Sequence, residues 1–496
     1  MLADFVDLWS NLPNWVVVLA AIADFFIVGG FLIWVLMSKT DSTSAVAWCL
    51  LIFFLHIIGV LLFIFFGYQH VRRPLNRKRR HRAQYHDPPS PETYSGFTKW
   101  VHAPPVQPPE EMTTGLASLA SKLGASPVTD GNHVDFFDHG PPAIEAMIEA
   151  IRAARHHIHL EFFIFHPDAI GRRVVDELTA KARAGVQVRL LYDAIGTRGL
   201  SYRVLKDFHD AGGQSSAFLS ISLWRRRFQI NMRNHRKILV VDGEVGFVGG
   251  LNIGDEYMGR SKYFGPWRDT HLRIRGPGVY DLQRVFVEDW DFAADERIAE
   301  SEHPNYFKAT AGGGTHALQI IDSGPDQDYR AIREVYFAAI LKAKRRVWIA
   351  SPYFVPDAAL LEAVRLAAFS GIDVRLLFQG KPDRWMPYFA ARYYFTDVMR
   401  AGVKIFQYQG GMMHAKVLII DDEFASVGTA NFDNRSMFLN FEVNCLMYSV
   451  DATLTLDALF ARDFANSRLL DPHEFAKRSF WVRLAENACR LFSPVL

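Results

Sequence analysis

The sequence has little cysteine and almost no excess of charge, and both shortages limit what the protein can be. Its 496 residues include three cysteines, Cys49, Cys445 and Cys489, which are too few for a disulfide framework and lack metal-ligand spacing. Lysine and arginine total 55 against 53 aspartates and glutamates, so the formal net charge is +2. This balance excludes a strongly basic nucleic-acid-binding protein on charge alone. Half of the residues are apolar, which excludes a largely disordered chain.

Two long apolar runs occupy the first 70 residues. Trp15–Met37 contains one charged residue, Asp24, and Ala45–Gly67 contains none. About 20 apolar residues suffice to cross a bilayer as a helix, so residues 1–70 are predicted to form a transmembrane helical hairpin with both ends on one side. A signal peptide followed by a single span is disfavoured, because no basic residue precedes the first run.

Each apolar run contains one ionisable side chain, Asp24 in the first and His56 in the second. Such groups are costly inside a membrane and usually have a partner. In a hairpin closed between residues 37 and 45 the two lie at about the same depth, so we predict a hydrogen bond between them. Separate contacts with a partner subunit or with water are the alternative.

A basic segment follows the second run and precedes a proline-rich one. The basic residues are Arg72, Arg73, Arg77, Lys78, Arg79, Arg80 and Arg82. Positive charge beside a span marks the cytoplasmic side, and each such residue near the surface attracts anionic lipid by about 1 kcal/mol. A nucleic-acid or nuclear-targeting role is disfavoured by the two adjacent spans. Seven prolines between residues 88 and 109 indicate a semi-rigid tether, so residues 71–125 are predicted to be a membrane-proximal linker.

The rest of the chain contains an internal repeat. Residues 150–189 and 339–375 each show a basic helix end, a buried strand, a Pro-Asp turn, an amphipathic helix, a glycine and a second strand. Alternating helices and strands indicate an α/β architecture. We therefore predict two lobes of like fold, at about 126–315 and 316–496.

Each lobe carries the same polar motif, which reads NHRKILVVDG in the first lobe and MHAKVLIIDD in the second. Residues i and i+2 of a strand share a face, so His235 lies beside Lys237, and His414 beside Lys416. An imidazole beside an ammonium, without a thiolate or a second ligand, is a poor metal site. It suits an anion under nucleophilic attack, because lysine holds phosphate oxygens while histidine attacks phosphorus or transfers a proton.

Further elements of the motif repeat after each histidine. Asp242 and Asp421 end the two strands, where aspartate favours a turn, so they are better suited to brace the strand end than to do chemistry. The segments GGLN and GTAN then follow, and their small residues let backbone N–H groups approach an anion. The candidate phosphate-binding residues of these segments are Gly250, Asn252, Thr429 and Asn431.

These motifs resemble the phospholipase D superfamily, whose mark is two copies of H-x-K-x4-D-x6-G-[SGT]-x-N. Within it the chain is most similar to bacterial cardiolipin synthases, in stretches such as PWRDTHLRIRGP, SPYFVPD and GTANFDNRSMFLNFEVN. The likeness covers nearly the whole chain apart from the tether. It implies an α/β fold with two phospholipase D-like lobes, each a mixed β-sheet flanked by helices, related by pseudo-twofold symmetry and preceded by the hairpin. His56 departs from the pattern, since proline is expected there, and Gly250 lacks the hydroxyl of Thr429.

The resemblance also implies a reaction. A phosphatidyltransferase of this kind joins two phosphatidylglycerol molecules into cardiolipin and glycerol, through a covalent phosphatidyl-histidine. His235, from the first copy, is the expected nucleophile and His414 the general acid and base, although near symmetry leaves the opposite assignment open. The groups expected to stabilise the phosphorane-like charge are Lys237, Lys416, Asn252 and Asn431.

A carboxylate further along each lobe is expected to orient each imidazole, as in other histidine-based sites. The matching positions are Asp269 and Glu442. The two lysines supply the positive charge, so neither a metal nor a cofactor is expected. The expected partners are phosphatidylglycerol and anionic membrane lipids, not nucleic acid, and a homo-oligomer is left open. The expected location is the bacterial cytoplasmic membrane, with several spans and the lobes on the cytoplasmic side.

Other functions share these motifs. A hydrolase of the phospholipase D type, or a transferase with another alcohol acceptor such as a phosphatidylserine synthase, would differ only in what receives the phosphatidyl group. A nuclease is disfavoured by the hairpin and the charge balance, and a non-enzymatic membrane scaffold by two intact motifs. The C-terminal residues Phe480 to Leu491, with Arg483 and Arg490, fit an amphipathic helix that either lies on lipid or packs against the lobes.

Overall fold

The computed structural model describes residues 13–39, 42–67, 78, 111–197, 199–219, 231–296, 298, 303–308 and 312–496. The N-terminal helices form one compact unit, and the described residues from 78 onward form another.

The helices are α1 (Asn14–Ser38), α2 (Ser42–Leu62), α3 (Glu111–Lys122), α4 (Gly140–Ala153), α5 (Ala169–Arg183), α6 (Lys206–Asp210), α7 (Gly278–Ala294), α8 (His303–Tyr306), α9 (Ala331–Lys342), α10 (Ala358–Phe369), α11 (Trp385–Ala401), α12 (Asn434–Phe438), α13 (Val450–Ala465), α14 (Pro472–Ala476) and α15 (Phe480–Arg490). The strands of the first repeat are β1 (Thr129–His139), β2 (His157–Phe162), β3 (Gln187–Asp193), β4 (Gln214–Phe218), β5 (Arg233–Asn234), β6 (Lys237–Val241), β7 (Val245–Gly249) and β8 (Trp267–Arg275). Those of the second are β9 (His316–Ser323), β10 (Arg346–Ala350), β11 (Phe354–Val355), β12 (Asp373–Phe378), β13 (Lys404–Tyr408), β14 (Met412–Met413), β15 (Val417–Ile420), β16 (Phe424–Gly428), β17 (Phe432–Asp433), β18 (Asn440–Met447) and β19 (Ser467–Leu469).

Helices α1 and α2 are long and apolar enough to cross a membrane. They pack together around Val35, Ile52 and Val60. The predicted pair is present, with His56 Nδ1 2.8 Å from Asp24 Oδ2. Helix α2 loses helical geometry at His56, whose φ is 37°, so the second run is broken at the position where the resemblance leads us to expect proline.

The second unit contains two sheets with the same strand order. The first runs β1-β8-β7-β6-β2-β3-β4, and the second runs β9-β18-β16-β15-β10-β12-β13, with β19 added beside β13. Strands β1 and β9 pair with each other and join the two sheets. The two sheets are mixed, which confirms the predicted α/β fold with two like lobes. The exact lobe boundaries stay a prediction; α3, for instance, lies inside the predicted linker, and its Leu116 belongs to the same buried cluster as Ile332 of α9.

The parallel part of each sheet depends on the Pro-Asp turns found in the sequence. Asp168 caps α5 by accepting a hydrogen bond from Gly171 N at 3.1 Å, and Asp357 caps α10 by accepting one from Ala359 N at 2.8 Å. A side-chain cap satisfies backbone donors that the first helical turn cannot. Each capped helix therefore starts immediately after the turn and returns the chain to the next parallel strand.

Two short strands cross from one lobe to the other. Strand β5 pairs in parallel with the start of β18, and β14 pairs in parallel with the start of β8. Between the sheets lies a shared apolar core that includes Ile238 and Val248 from the first lobe and Ile419, Val427 and Val443 from the second. The lobes are thus joined by both backbone pairing and apolar packing, next to the two histidine motifs.

Candidate active site

The short crossing strands place each histidine beside the other lobe. Asn234 of β5 is in register with Phe441 of β18, and the next residue, His235, donates its backbone N–H to the Phe441 carbonyl at 2.9 Å. In the same way His414 follows β14 and donates its N–H to the carbonyl of Arg268 in β8 at 2.8 Å. Phe441 is followed in sequence by Glu442, and Arg268 by Asp269, which are the two predicted carboxylates.

Each imidazole consequently bonds to the carboxylate of the opposite lobe. His235 Nδ1 lies 3.0 Å from Glu442 Oε2, and His414 Nδ1 lies 2.9 Å from Asp269 Oδ2. Glu442 and Asp269 are fully buried. An ionised carboxylate only accepts hydrogen bonds, so Nδ1 carries the proton and Nε2 is left as the nitrogen available for chemistry. The sequence identified the two carboxylates, but not that the pairs cross between the lobes.

Burial and neighbouring charges set the protonation of these groups. Burial lowers the pKa of His235 to about 4 despite the nearby Glu442, and burial together with Lys416 lowers the pKa of His414. Burial alone would raise the pKa of Glu442, but His235 and Lys237 hold it below its ordinary value. His235 is therefore a neutral imidazole near pH 7, as a nucleophile must be.

Each lysine bonds to the backbone of the histidine in its own motif. Lys237 Nζ donates to the carbonyl of its own His235 at 2.6 Å, and Lys416 Nζ donates to the carbonyl of His414. Burial lowers the pKa of Lys237 to about 7 and that of Lys416 to about 8. Lys416 Nζ also lies 2.6 Å from His414 Nδ1, so the two half-sites are not equivalent.

The difference between Gly250 and Thr429 has a structural reason. Thr429 Oγ1 donates to Glu442 Oε2 at 2.6 Å. A Cβ at Gly250 would come within 1.9 Å of Asp269 Oδ1, so the first lobe needs glycine there to admit its carboxylate. Asp269 instead accepts the N–H of Thr270 at 2.8 Å. In the structure, therefore, Thr429 donates a hydrogen bond to one carboxylate, Glu442, and Gly250 leaves room for the other, Asp269.

One cavity of about 700 Å³ is lined by both histidines and by Asn252 and Asn431. Asn252 is held in place, because its Oδ1 accepts from Ile164 N at 3.1 Å. Asn431 Oδ1 is buried and has no hydrogen-bond partner within the described part of the chain. The structure thus brings together four of the predicted residues around a space large enough for a phosphodiester head group.

Asp242 and Asp421 lie outside the cavity lining and stabilise the fold by hydrogen bonds to the backbone. Asp242 accepts the N–H groups of residues 155, 156 and 157 at 2.8 to 2.9 Å, and Asp421 accepts those of residues 344, 345 and 346 at the same distances. Both have left-handed backbones, with φ of 55° and 52°. Each carboxylate therefore ties the end of the motif strand to the start of the neighbouring strand, β2 or β10.

Comparison with known proteins identifies the family. The family profile "Cardiolipin synthase, PLD-like domain" matches residues 147–263 and 336–464, and "Phospholipase_D-nuclease N-terminal" matches residues 27–67. Cardiolipin synthase from Geobacillus kaustophilus is 41% identical over 469 residues, covering 93% of this chain and 90% of that protein. The one from Listeria innocua is 38% identical over 466 residues, covering 93% and 95%. The chain belongs to the cardiolipin synthase family.

A solved structure agrees with this fold. Phosphatidylserine synthase from Haemophilus influenzae has a TM-score of 0.60 at 15% identity, covering 77% of this chain and all of that one. At this identity the likeness concerns the fold alone. The family and the two apolar helices together make this a membrane-associated phosphatidyltransferase.

Two of the arginines that line the cavity lie close in sequence to the motifs but were not among the predicted site residues. Arg233, two residues before His235, and Arg435, four residues after Asn431, both line the cavity. Burial lowers the pKa of each guanidinium. Arginine is nevertheless charged at neutral pH. Their nearness in sequence to His235 and Asn431 was the available signal, since cations beside the motif residues suit an anionic substrate.

A buried charge cluster behind His235 was also missed. Arg236 bonds to Asp289, to Asp322 at 3.0 Å and, through Nε, to the carbonyl of Glu442 at 3.2 Å. Lys78 bonds to the same Asp289 and is only 1% exposed. Lys78 was expected to attract lipid with the other basic residues, and its burial corrects that expectation. The other six lie outside the described residues.

Proposed function

We propose that this phosphatidyltransferase joins two phosphatidylglycerol molecules into cardiolipin and releases glycerol, through a phosphatidyl-histidine intermediate. The observation that carries the proposal is the pair of histidines in one cavity, each bonded to a buried carboxylate of the other lobe. One histidine attacks and the other handles the proton, so both lobes are needed for a single reaction.

In the first half of the reaction, Nε2 of His235 attacks the phosphorus of one phosphatidylglycerol. A P–N bond forms and the P–O bond to the head-group glycerol breaks. His414 enters this step as the imidazolium, with its Nδ1 proton hydrogen-bonded to Asp269, and gives its Nε2 proton to the departing glycerol oxygen. Lys237, Lys416, Asn252 and Asn431 stabilise the charge that develops on the phosphate oxygens. Glu442 stabilises the positive charge that His235 acquires.

In the second half, His414 removes a proton from the head-group hydroxyl of a second phosphatidylglycerol. The resulting oxygen attacks phosphorus, the P–N bond breaks, and cardiolipin forms with His235 restored. Burying the intermediate from water would favour the alcohol over hydrolysis.

The first experiment uses the full chain in detergent with phosphatidylglycerol alone, without added nucleotide or metal. Lipid products are followed by mass spectrometry together with glycerol release. We expect cardiolipin and glycerol in equal amounts, and neither from a folded His235→Ala control. Phosphatidic acid in place of cardiolipin would mean that water is the acceptor and would contradict the transferase proposal.

A second experiment assigns the two histidines. A His414→Ala chain is mixed briefly with a phosphatidyl ester of p-nitrophenol, whose leaving group needs no proton, and then quenched. It should retain a phosphatidyl group on the peptide that contains His235, because the acceptor cannot be deprotonated. A His235→Ala chain should show no adduct. An adduct at His414 in the His235→Ala chain would reverse the roles, and normal turnover by either folded variant would defeat the two-lobe site.

We also propose that residues 1–70 span the bacterial cytoplasmic membrane twice and that the lobes face the cytoplasm. The basic residues after the second apolar run support this orientation. Cysteines introduced at Ser42 and at Leu454 should differ in reactivity toward an impermeant reagent in intact cells, with Ser42 labelled and Leu454 protected. Equal labelling of both would contradict this topology.

Assembly into a homo-oligomer stays a prediction.

A further inference from the structure

The C-terminal helix α15 has its apolar face turned outward. The exposed apolar side chains at helical spacing are Phe480, Trp481 and Leu484 in α15 and Leu491 directly after it. Trp481 is 73% exposed and Leu491 is 72% exposed. An amphipathic helix of a water-soluble domain normally places this face against the core. In α15 the arrangement is reversed, so packing against the lobes does not explain its pattern.

The buried side of α15 carries a charged residue, Glu486, beside Cys489, which belongs to an apolar cluster of the second lobe. Glu486 is 1% exposed and accepts hydrogen bonds from Arg392 Nε at 2.9 Å and Arg478 Nε at 3.0 Å. Removing one partner of a buried charge pair is strongly destabilising. The pair therefore fixes the rotation of the helix about its axis and keeps the apolar face in solvent.

The exposed apolar surface continues into the wall of the catalytic cavity. Beyond α15, Phe492 and Val495 are also exposed, and Val495 and Leu496 line the cavity. The chain end is anchored there, because Arg435 N donates to the Leu496 carbonyl at 2.8 Å. An apolar path thus runs along the chain from the surface of α15 to the site of the reaction.

The start of α11 also presents an exposed aromatic side chain next to the cavity. At the start of α11, Trp385 is 63% exposed, and its neighbours Arg384 and Pro387 line the cavity. Arg384 and Arg483 are exposed, so positive charge accompanies the exposed aromatic rings. Tryptophan and arginine together are typical of surfaces at the boundary between water and lipid.

We propose that α15 and the residues up to Leu496, together with Trp385, dock on the surface of an anionic phospholipid bilayer and pass lipid directly into the cavity. The inference rests on the proposed function, because it assumes a lipid substrate. The exposed arginines match an anionic lipid surface. The continuity with the cavity favours lipid over a second copy of the chain, since a protein seated on this face would contact the cavity wall where substrate must enter.

The test compares bilayers with micelles. A Phe480→Ser/Trp481→Ser/Leu484→Ser variant of the full chain is reconstituted into phosphatidylglycerol-containing bilayers and, separately, supplied with short-chain phosphatidylglycerol in detergent micelles. We expect roughly a tenfold loss of turnover in bilayers and little change in micelles, because only the bilayer requires docking. The matched control is Val450→Ser/Leu454→Ser, which removes two half-exposed apolar side chains from α13 and should leave both rates unchanged.

Two results would overturn the proposal. Unchanged turnover in bilayers would show that the face is not used, and an equal loss in both systems with a changed oligomeric mass would assign it to contact between copies. Failure of the wild-type chain to make cardiolipin in micelles would instead count against the proposed function.

A second measurement does not depend on activity. Brominated lipids quench tryptophan that inserts between them, so the difference in fluorescence between the wild-type chain and a Trp481→Phe variant reports on that one ring. We expect the difference signal to be quenched in bilayers. A signal that brominated lipid leaves unchanged would overturn docking, even if the triple variant fails to fold.

Discussion

At the scale of single residues, the two histidines depend on side chains that are far away in sequence. Glu442 lies 207 positions from His235, and Asp269 lies 145 positions from His414. Each carboxylate fixes the proton on Nδ1 and leaves Nε2 for the reaction. Thr429 adds a hydrogen bond to Glu442, and Asp269 receives one from its neighbouring backbone, so the two carboxylates are held by different means.

Removing the negative charge of either carboxylate should impair catalysis without unfolding the protein. We expect Glu442→Gln and Asp269→Asn each to lower kcat by about 10²- to 10⁴-fold, because a neutral amide stabilises the imidazolium poorly and permits the wrong tautomer. Thr429→Val, which removes only the supporting hydrogen bond, should cost less. The measurement is turnover in micelles beside the circular dichroism of each variant, and wild-type turnover by Glu442→Gln would refute the role of this residue.

The lysines predict how the rate varies with pH. Lysine loses its charge as pH rises through its pKa, and burial lowers the pKa of Lys237 to about 7 and of Lys416 to about 8. Since kcat/KM reports the free enzyme, it should fall as pH rises, because the acid His414, whose pKa is also lowered, and then the two lysines lose their protons. His235, with a pKa of about 4, stays neutral down to about pH 5. A profile measured from pH 5 to 9.5 tests this, and a flat line to pH 9.5 would contradict it.

At the scale of secondary-structure elements, the turns after the motif strands are fixed by aspartate. Asp242 and Asp421 each accept three backbone N–H groups while adopting positive φ. These N–H groups lie at the start of β2 and β10. Without the aspartate carboxylates, they would be buried next to the turns without a hydrogen-bond acceptor. The motif aspartate is thus a structural residue of the strand ends.

Substitution at these turns should therefore affect stability more than chemistry. Asp242→Ala removes the acceptor and places a residue without a polar side chain at positive φ, so we expect a loss of about 2–4 kcal/mol in the free energy of unfolding. Asp242→Asn keeps one acceptor and tolerates this backbone, and should lose less. Thermal unfolding and kcat of the folded fraction are measured together; a large fall in kcat at unchanged stability would show a chemical role instead.

At the scale of the whole molecule, one site is assembled from two lobes and from a residue that precedes both. Lys78 belongs to the basic segment after the apolar runs, yet its ammonium lies in the buried cluster with Asp289 and 5.4 Å from the ring centre of Phe441. Asp289 also bonds to Arg236, which stands between His235 and Lys237. Lys78 therefore contributes, through Asp289 and Arg236, to the support of His235.

Loss of Lys78 should weaken the folded catalytic unit. Lys78→Met leaves Asp289 with one cation fewer in a fully buried position, and breaking such a pair costs about 3–5 kcal/mol. We expect a lower apparent Tm and, because Arg236 loses a fixed partner, a lower kcat. The Lys78→Met/Asp289→Asn double variant should lose less than the sum of the single variants, whereas strict additivity would mean that the two residues do not interact.

The sequence by itself determined the family, the repeated fold and the candidate residues of the site. The residue spacing of the H-x-K motif, the Pro-Asp caps and the apolar runs are local patterns, and local hydrogen bonding and burial convert them directly into strands, helix starts and apolar helices. The Asp24–His56 pair followed from the short connection between the two apolar runs, which places the two residues at the same depth. The crossed carboxylates, the burial of Lys78 and the outward face of α15 were decided by the tertiary structure alone. Each depends on the register of β5 with β18 and of β14 with β8, or on a partner such as Asp289 or Glu486, and contacts between residues far apart in sequence are not encoded in any local period.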